Sequence, residues 1–194
     1  MASVADMSCA VLYFPLTGEV LLRAWCPRAT ADKIGNTPYR AWEKMGLLHI
    51  SKGVATDPSL LYDAVAKDCE TFNVQAIGYD RYRMEDAKQE FEKRDIDPDL
   101  VRKVGMGYFS MSPAIDRFER LVLQAKIKHN NNPILTWQLS NVRIDTDAAG
   151  NQKPSKKRSI DKIDAIVALL VAVYCSSAVQ EQRDPDLSNL LFTL

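Results

Sequence analysis

Residues 161–176 (DKIDAIVALLVAVYCS) are apolar around most of a helical circumference. A helix of that kind is stable only when other structure packs on several of its sides. Its unbroken apolar stretch, residues 165–174, reaches about half of the ~20 residues that a membrane-spanning helix needs. The segment therefore predicts a central helix inside a folded domain, and the rest of the chain must supply the layers that cover it. A length of 194 residues suits one domain with a sizeable core.

Those layers read as short apolar runs alternating with amphipathic stretches. Residues 9–14 (CAVLYF) and 19–25 (EVLLRAW) flank the turn Pro15-Leu16-Thr17-Gly18 and predict two paired strands. A Pro/Gly/Asn-containing stretch, residues 27–38, precedes a short helix at 39–45, stopped by Gly46, and a brief strand at 47–51. Asp57-Pro58 opens a helix whose Leu60, Leu61, Ala64, Val65 and Cys69 follow helical spacing. Residues 74–79 (VQAIGY) predict a strand ending at Asp80, followed by a charged helix at 84–93 and a short strand at 101–106. Ser112-Pro113 predicts the start of an amphipathic helix that runs to Lys128, and residues 133–142 predict another. Residues 143–153, centred on Ala149-Gly150-Asn151, read as a hairpin or flexible loop. The expected fold class is α/β, one domain with a mixed central sheet. That sheet would hold residues 9–14, 19–25 and 74–79, with the helix of residues 161–176 against it.

Composition removes several function classes. Cys9, Cys26, Cys69 and Cys175 are scattered with no CxxC pair, which argues against a zinc site and for a reducing, intracellular setting. No basic segment precedes an apolar one at the N-terminus, so no secretory signal is read. No glycine-rich GxxxxGK[ST] loop follows any strand, which disfavours a nucleotide-binding enzyme. Ser8, Cys9 and Cys175 show no histidine partner pattern, so nucleophilic catalysis is unsupported. Net charge is zero, which weakens nonspecific nucleic-acid binding, yet residues 152–158 carry four cations and no anion.

The acids are the informative residues. Phosphodiester hydrolysis assisted by Mg²⁺ or Mn²⁺ needs hard oxygen ligands converging from different elements, commonly around two ions roughly 3.5–4 Å apart. Asp80 closes an apolar strand and emerges at its C-terminal end, where α/β folds build sites. Asp164 stands in the first turn of the apolar helix, three residues after Asp161 and on the same face. A purely structural reading stands beside this one: first-turn acids oppose the helix dipole, and an Asp after a strand is a common turn residue. Lys153, Lys156, Lys157 and Arg158 have the same two readings, a solvated loop or phosphate contacts. His129 reads as a helix C-terminal residue, and Trp25, Trp42 and Trp137 as packing residues.

An ordered set of motifs decides between these readings. Gly78-Tyr79-Asp80-Arg81-Tyr82-Arg83 resembles the strand-end aspartate motif of tailed-bacteriophage large terminase subunits. Gly107-Tyr108-Phe109-Ser110-Met111-Ser112 is similar to that family's glycine-aromatic entry to a helix. His129, Asn132-Pro133-Ile134-Leu135-Thr136-Trp137 and Asn141-Val142 resemble its H-x-x-N-P-x-L-x-W…N-V stretch. Lys153-Pro154, Lys156 and then Lys162-Ile163-Asp164, with Ala168-Leu169, resemble its closing K-I-D-x-x-x-A-L signature. Each piece is weak alone; their order and spacing, through most of residues 74–173, are specific.

The resemblance implies an RNase H-like, metal-dependent endonuclease domain that cuts concatemeric double-stranded viral DNA during packaging. It implies Asp80 and Asp164 as catalytic residues and, with Asp161 and Asp6, as ligands of a two-ion Mg²⁺ or Mn²⁺ site. Lys153, Lys156, Lys157 and Arg158 would contact DNA. The small terminase subunit and the portal are the implied partners, and the bacterial host cytoplasm the location. The expected domain covers residues 1–178, with a tail at 179–194. One departure stands out. The family's first strand carries a metal-binding Asp in a segment like L-D-L-S, whereas Asp6 matches the second Asp, and the first falls just before Met1. The expectation is therefore a fragment or a truncated gene with an impoverished site. The rival expectation is a degenerate prophage remnant that keeps the fold as an inactive DNA- or protein-docking module.

Overall fold

The computed structural model describes residues 6–33, 38–81 and 84–183. Strands β1 (Ser8–Phe14) and β2 (Glu19–Pro27) form the expected antiparallel hairpin, with Leu12 opposite Leu21 and Tyr13 opposite Val20. Gly18 closes its turn at φ 77°, with the Lys126 carbonyl where a side chain would stand. Only glycine is comfortable in that left-handed geometry, and here even a methyl group has no room. Helices α1 (Arg28–Lys33) and α2 (Tyr39–Lys44) follow, then β3 (His49–Ser51), which adds to β2 in parallel. Trp42 and Trp137, read as packing residues, interlock edge to face with Tyr39 under this sheet, and Trp25 is buried as well.

A second unit comprises α3 (Ser59–Thr71), β4 (Ile77–Asp80), α4 (Met84–Glu92) and β5 (Val101–Val104), with β4 and β5 parallel. It has its own core of Tyr62, Ala87, Phe91, Ile96 and Val101. Arg23 of β2 reaches it through a two-pronged bond to the buried Asp68 of α3, at 2.6 and 3.1 Å. The chain continues through α5 (Tyr108–Leu123), α6 (Pro133–Asn141), the hairpin β6 (Ile144–Thr146) and β7 (Gln152–Pro154), and α7 (Asp164–Arg183).

Helix α7 is the central helix that its composition demanded. Ala165, Ile166, Leu169, Leu170 and Val173 are buried against Val20, Ala114, Ile115 and Leu135. Val171 and Cys175 turn instead to Val104 and Met111. The fold is mixed α/β, but the expectation of one sheet holding residues 9–14, 19–25 and 74–79 is corrected. The strands form three sheets, β1-β2-β3, β4-β5 and β6-β7. Among the described residues β1 pairs only with β2, and β4 only with β5; a cleft lies between them, and α7 packs on both.

Two helix starts also differ from expectation. Helix α5 begins at Tyr108 behind an extended Gly107, so Pro113 lies inside it, and Ser112 Oγ accepts instead from the Gln152 N–H of β7 at 3.2 Å. It stops at Leu123, where Ala125 turns to φ 53°. Helix α7 begins at Asp164 rather than Asp161, with the Ile163 carbonyl accepting its first bond from Val167 at 2.9 Å. Of the expected tail, residues 184–194 lie outside the described residues.

Candidate active site

Asp80 is the last residue of β4 and Asp164 the first of α7, and both line one cleft of about 1760 Å³. Strands β1 and β4 wall this cleft, α7 floors it, and the β6–β7 hairpin with the loop behind it closes one side. That loop brings Lys153, Lys156 and Lys157 to the same cleft. Asp86 and Asp145, which sequence reasoning had not singled out, line it too. They carried no signal in the chain, since one sits in a charged helix and the other in a hairpin.

Asp164 is the electrostatic centre. Its side chain is 14% exposed, and burial raises its pKa above the ordinary carboxylate value. Lys156, whose Nζ lies 3.3 Å from Oδ1, pulls the other way, and Asp6 adds to the rise. Asp6 in turn accepts from Lys162 Nζ at 2.5 Å and from the Met7 N–H at 2.7 Å. Lys162 loses solvation on burial, but its bond to Asp6 together with the charges of Asp6, Asp164 and Asp161 outweighs that loss and raises its pKa. The Cys9 thiol is pushed well up by burial, and next by Asp164 and Asp6, which keeps it a neutral packing group.

Asp161 is not on a helical face with Asp164. It precedes the helix and accepts from the Lys162 N–H at 2.8 Å. The i,i+3 argument for the pair is therefore corrected: the backbone between them is not helical. Arg158 is not among the lining residues and pairs with Asp145 Oδ1 at 3.0 Å, and Lys153 Nζ sits 4.6 Å from the centre of the Tyr108 ring.

The start of α7 is held by two amide side chains on α6, Asn141 of the quoted Asn-Val motif and Gln138, which sequence reasoning had not singled out. The fully buried Gln138 accepts from the Ala165 N–H at 2.7 Å, and Asn141 donates to the Lys162 carbonyl at 3.2 Å. The first bond satisfies an N–H that a buried helix start otherwise leaves orphaned, the second ties down the backbone just ahead of the helix, and together they orient Asp164. Their signal was polar amides at i,i+3 on a helix that is otherwise apolar toward the core.

Carboxylate oxygen is the donor type that Mg²⁺ and Mn²⁺ take. The number of donors falls short. Among the described residues, no three His, Cys, Asp or Glu groups stand close enough to hold an ion. The residues present thus match a divalent ion in chemistry and not in count, and no reaction step is routed through one here.

A family model described as "Terminase large subunit, endonuclease domain" matches residues 1–180. The large terminase subunit of Enterobacteria phage HK97 is 28% identical over 171 residues, which are 87% of this chain and 34% of that protein. The crystal structure of the HK97 large terminase superimposes with a TM-score of 0.76 at 23% identity, covering 90% of this chain and 40% of that one. The large terminase nuclease of thermophilic phage G20c superimposes with a TM-score of 0.57 at 14% identity, covering 87% and 74%. The likeness to these solved structures identifies the fold as RNase H-like. The chain thus spans about a third of the HK97 protein's length.

Proposed function

The chain belongs to the terminase large subunit endonuclease domain family, and from that premise we propose that it is a metal-dependent endonuclease domain that cuts concatemeric double-stranded DNA during viral packaging. The observation that carries this reading is the shared cleft. A strand-end acid, Asp80, and a half-buried helix-start acid, Asp164, face the same space as three lysines of the β6–β7 region. Acids of that kind are suited to Mg²⁺ or Mn²⁺, and the lysines to the phosphates on either side of a scissile bond. In this proposal Asp80 and Asp164 are the catalytic ligands. Asp6, coupled to Asp164 through charge, assists, and Asp161 contributes by holding the Lys162 backbone. Lys153, Lys156, Lys157 and Arg158 contact DNA. The nuclease domain would cover residues 1–178, ahead of a tail at 179–194. Double-stranded DNA, the small terminase subunit and the portal are the proposed partners, in the host cytoplasm.

The test is nicking of supercoiled plasmid in Mg²⁺ and in Mn²⁺. Slow cleavage, stronger in Mn²⁺ and lost in both Asp80→Ala and Asp164→Ala, is the expected result. Removing a group that acts only in the transition state costs on the order of 10²-fold or more. Among the described residues no three metal-ligating groups converge, and that favours a second reading, a fold retained as an inactive docking module. Absence of cleavage with either metal, alongside retained DNA binding, would establish that reading instead.

A further inference from the structure

Phe109, in the first turn of α5, is 90% exposed. Single exposed apolar side chains are ordinary on protein surfaces, so exposure alone carries no message. The surroundings of this ring do. The turn that delivers it starts beside Asp80, because Val104, the last residue of β5, is the register partner of Asp80. Gly105 follows, with the Arg81 guanidinium so near that a Cβ there would lie 3.9 Å from Nη1. Met106 lines the cleft that Asp80 and Asp164 share. Lys153, another lining residue, places its Nζ 4.6 Å from the centre of the Tyr108 ring. Ser112 accepts from the Gln152 N–H at 3.2 Å and so fastens the start of α5 to β7. Phe109 therefore stands at the rim of the cleft and is not part of its lining.

The two segments that meet at this rim are cationic. Residues 101–115 include Arg102 and Lys103 and no acid, and residues 152–158 include Lys153, Lys156, Lys157 and Arg158 and no acid. Lys156 and Arg158 are held by Asp164 and Asp145. Arg102, Lys103 and Lys157 are exposed and make no ion pair among the described residues. On the Phe109 face of α5 a carboxylate appears only at Asp116, two turns along. A surface of that composition fits a polyanion, and a protein partner would have to bring acids to it. The phenyl ring narrows the choice. It has no hydrogen-bonding group with which to read a base edge. It can stack on the face of a base or wedge between two bases, and in a closed duplex those faces are covered by their neighbours.

We propose that Phe109 stacks on an unstacked nucleobase beside the cut, with Arg102, Lys103 and Lys157 on neighbouring phosphates. The domain then prefers duplex DNA with a locally opened step to DNA that is fully paired. This rests on the reading of the chain as a DNA endonuclease domain, and adds to it a residue and a feature of the substrate.

The test is equilibrium binding at low ionic strength, without divalent ions, to a labelled closed duplex and to the same duplex carrying a short unpaired bulge. The wild type is expected to bind the bulged DNA roughly tenfold more tightly, the effect of one base stacked on an aromatic ring. Phe109→Ala should remove that preference and leave the affinity for closed duplex unchanged. Phe109→Trp should keep it, and the emission of its added indole should be quenched by the bulged DNA and not by the closed duplex. Arg102→Ala should weaken both DNAs alike and lower the salt slope by about one. Because Phe109 is exposed, neither change at this position should move the melting temperature, which is measured for each variant. Equal affinities in the wild type would overturn the proposal. So would a preference retained by Phe109→Ala, which would make the ring a protein contact. No cleavage is involved, so either result leaves the plasmid test of nuclease activity to be judged by itself.

Discussion

At the scale of single residues, Asp164 is placed for chemistry at a cost to the fold. Burial raises its folded pKa above the unfolded value of about 3.8. A carboxyl shifted in that direction weakens folding once it ionises. The penalty is absent below the unfolded pKa, develops as pH rises through the folded pKa, and is fully present at neutral pH. Asp164→Asn should therefore raise the melting temperature by a few degrees near pH 7 and leave it unchanged near pH 3, while abolishing nicking. Equal melting shifts at both pH values would show that the carboxylate charge carries no such penalty. Gln138 makes the complementary case. Gln138→Leu removes the acceptor of the buried Ala165 N–H, and should cost about 1–3 kcal/mol in denaturant unfolding. It should also weaken nicking, because Asp164 adjoins the freed amide. Loss of stability with unchanged activity would make Gln138 a packing residue only.

At the scale of elements, the β6–β7 hairpin and the loop behind it hold the candidate DNA contacts, and they are not equivalent. Lys156 is paired with Asp164, and Arg158 with Asp145, whereas Lys157 is simply exposed. A cation already paired with a carboxylate gains less from a phosphate, because one partner must be given up. Alanine at Lys156, Lys157 and Arg158 together should flatten the log–log salt dependence of DNA binding, with about one unit lost per phosphate contact. Lys157→Ala alone should account for most of the change in the absence of divalent ions. A slope identical to wild type in the triple variant would exclude the loop from the DNA contact. The loop's place beside Asp164 follows from bonds between elements, such as Ser112 to Gln152, that no local pattern announces.

At the scale of the whole molecule, α7 packs on both the β1-β2-β3 sheet and β4, and α3 joins them too, through its contacts with β1 and the Tyr62–Tyr79 hydroxyl bond. The closest approach is at Gly78, where a Cβ would stand within clash distance of Val171 Cγ1 and 2.7 Å from Cys175 Sγ. The glycine is there because the helix lies too near the strand for any side chain. Gly78→Ala should cost about 1–3 kcal/mol, as overpacking of a tight contact does. It should also release the β4–β5 unit, read as faster amide exchange in β4 and β5 than in β1 and β2. Uniform acceleration across both units would show instead that the domain opens as one.

The residues themselves determined a good deal: the hairpin β1–β2, the central apolar helix, the acids at a strand end and a helix start, and the family. Each of those is carried by local periodicity, a turn, or a short ordered motif, and a chain needs no partner at long range to display it. The start of α7 was missed because a cap-like Asp161 is the stronger local signal. Asn141, bonded to the Lys162 carbonyl, and Gln138, bonded to Ala165, hold a start at Asp164. The placement of β1 and β4 in separate sheets was equally out of reach. Whether two apolar runs pair depends on which edges come into register across the fold, and runs such as 9–14 and 74–79 look alike whether they touch or face each other across a slot. Tertiary structure alone decided that Asp80 and Asp164 share a cleft, that Lys156 stands against Asp164, and that β1 and β4 face each other across that cleft, because packing and burial are properties of the whole molecule and not of any segment of it.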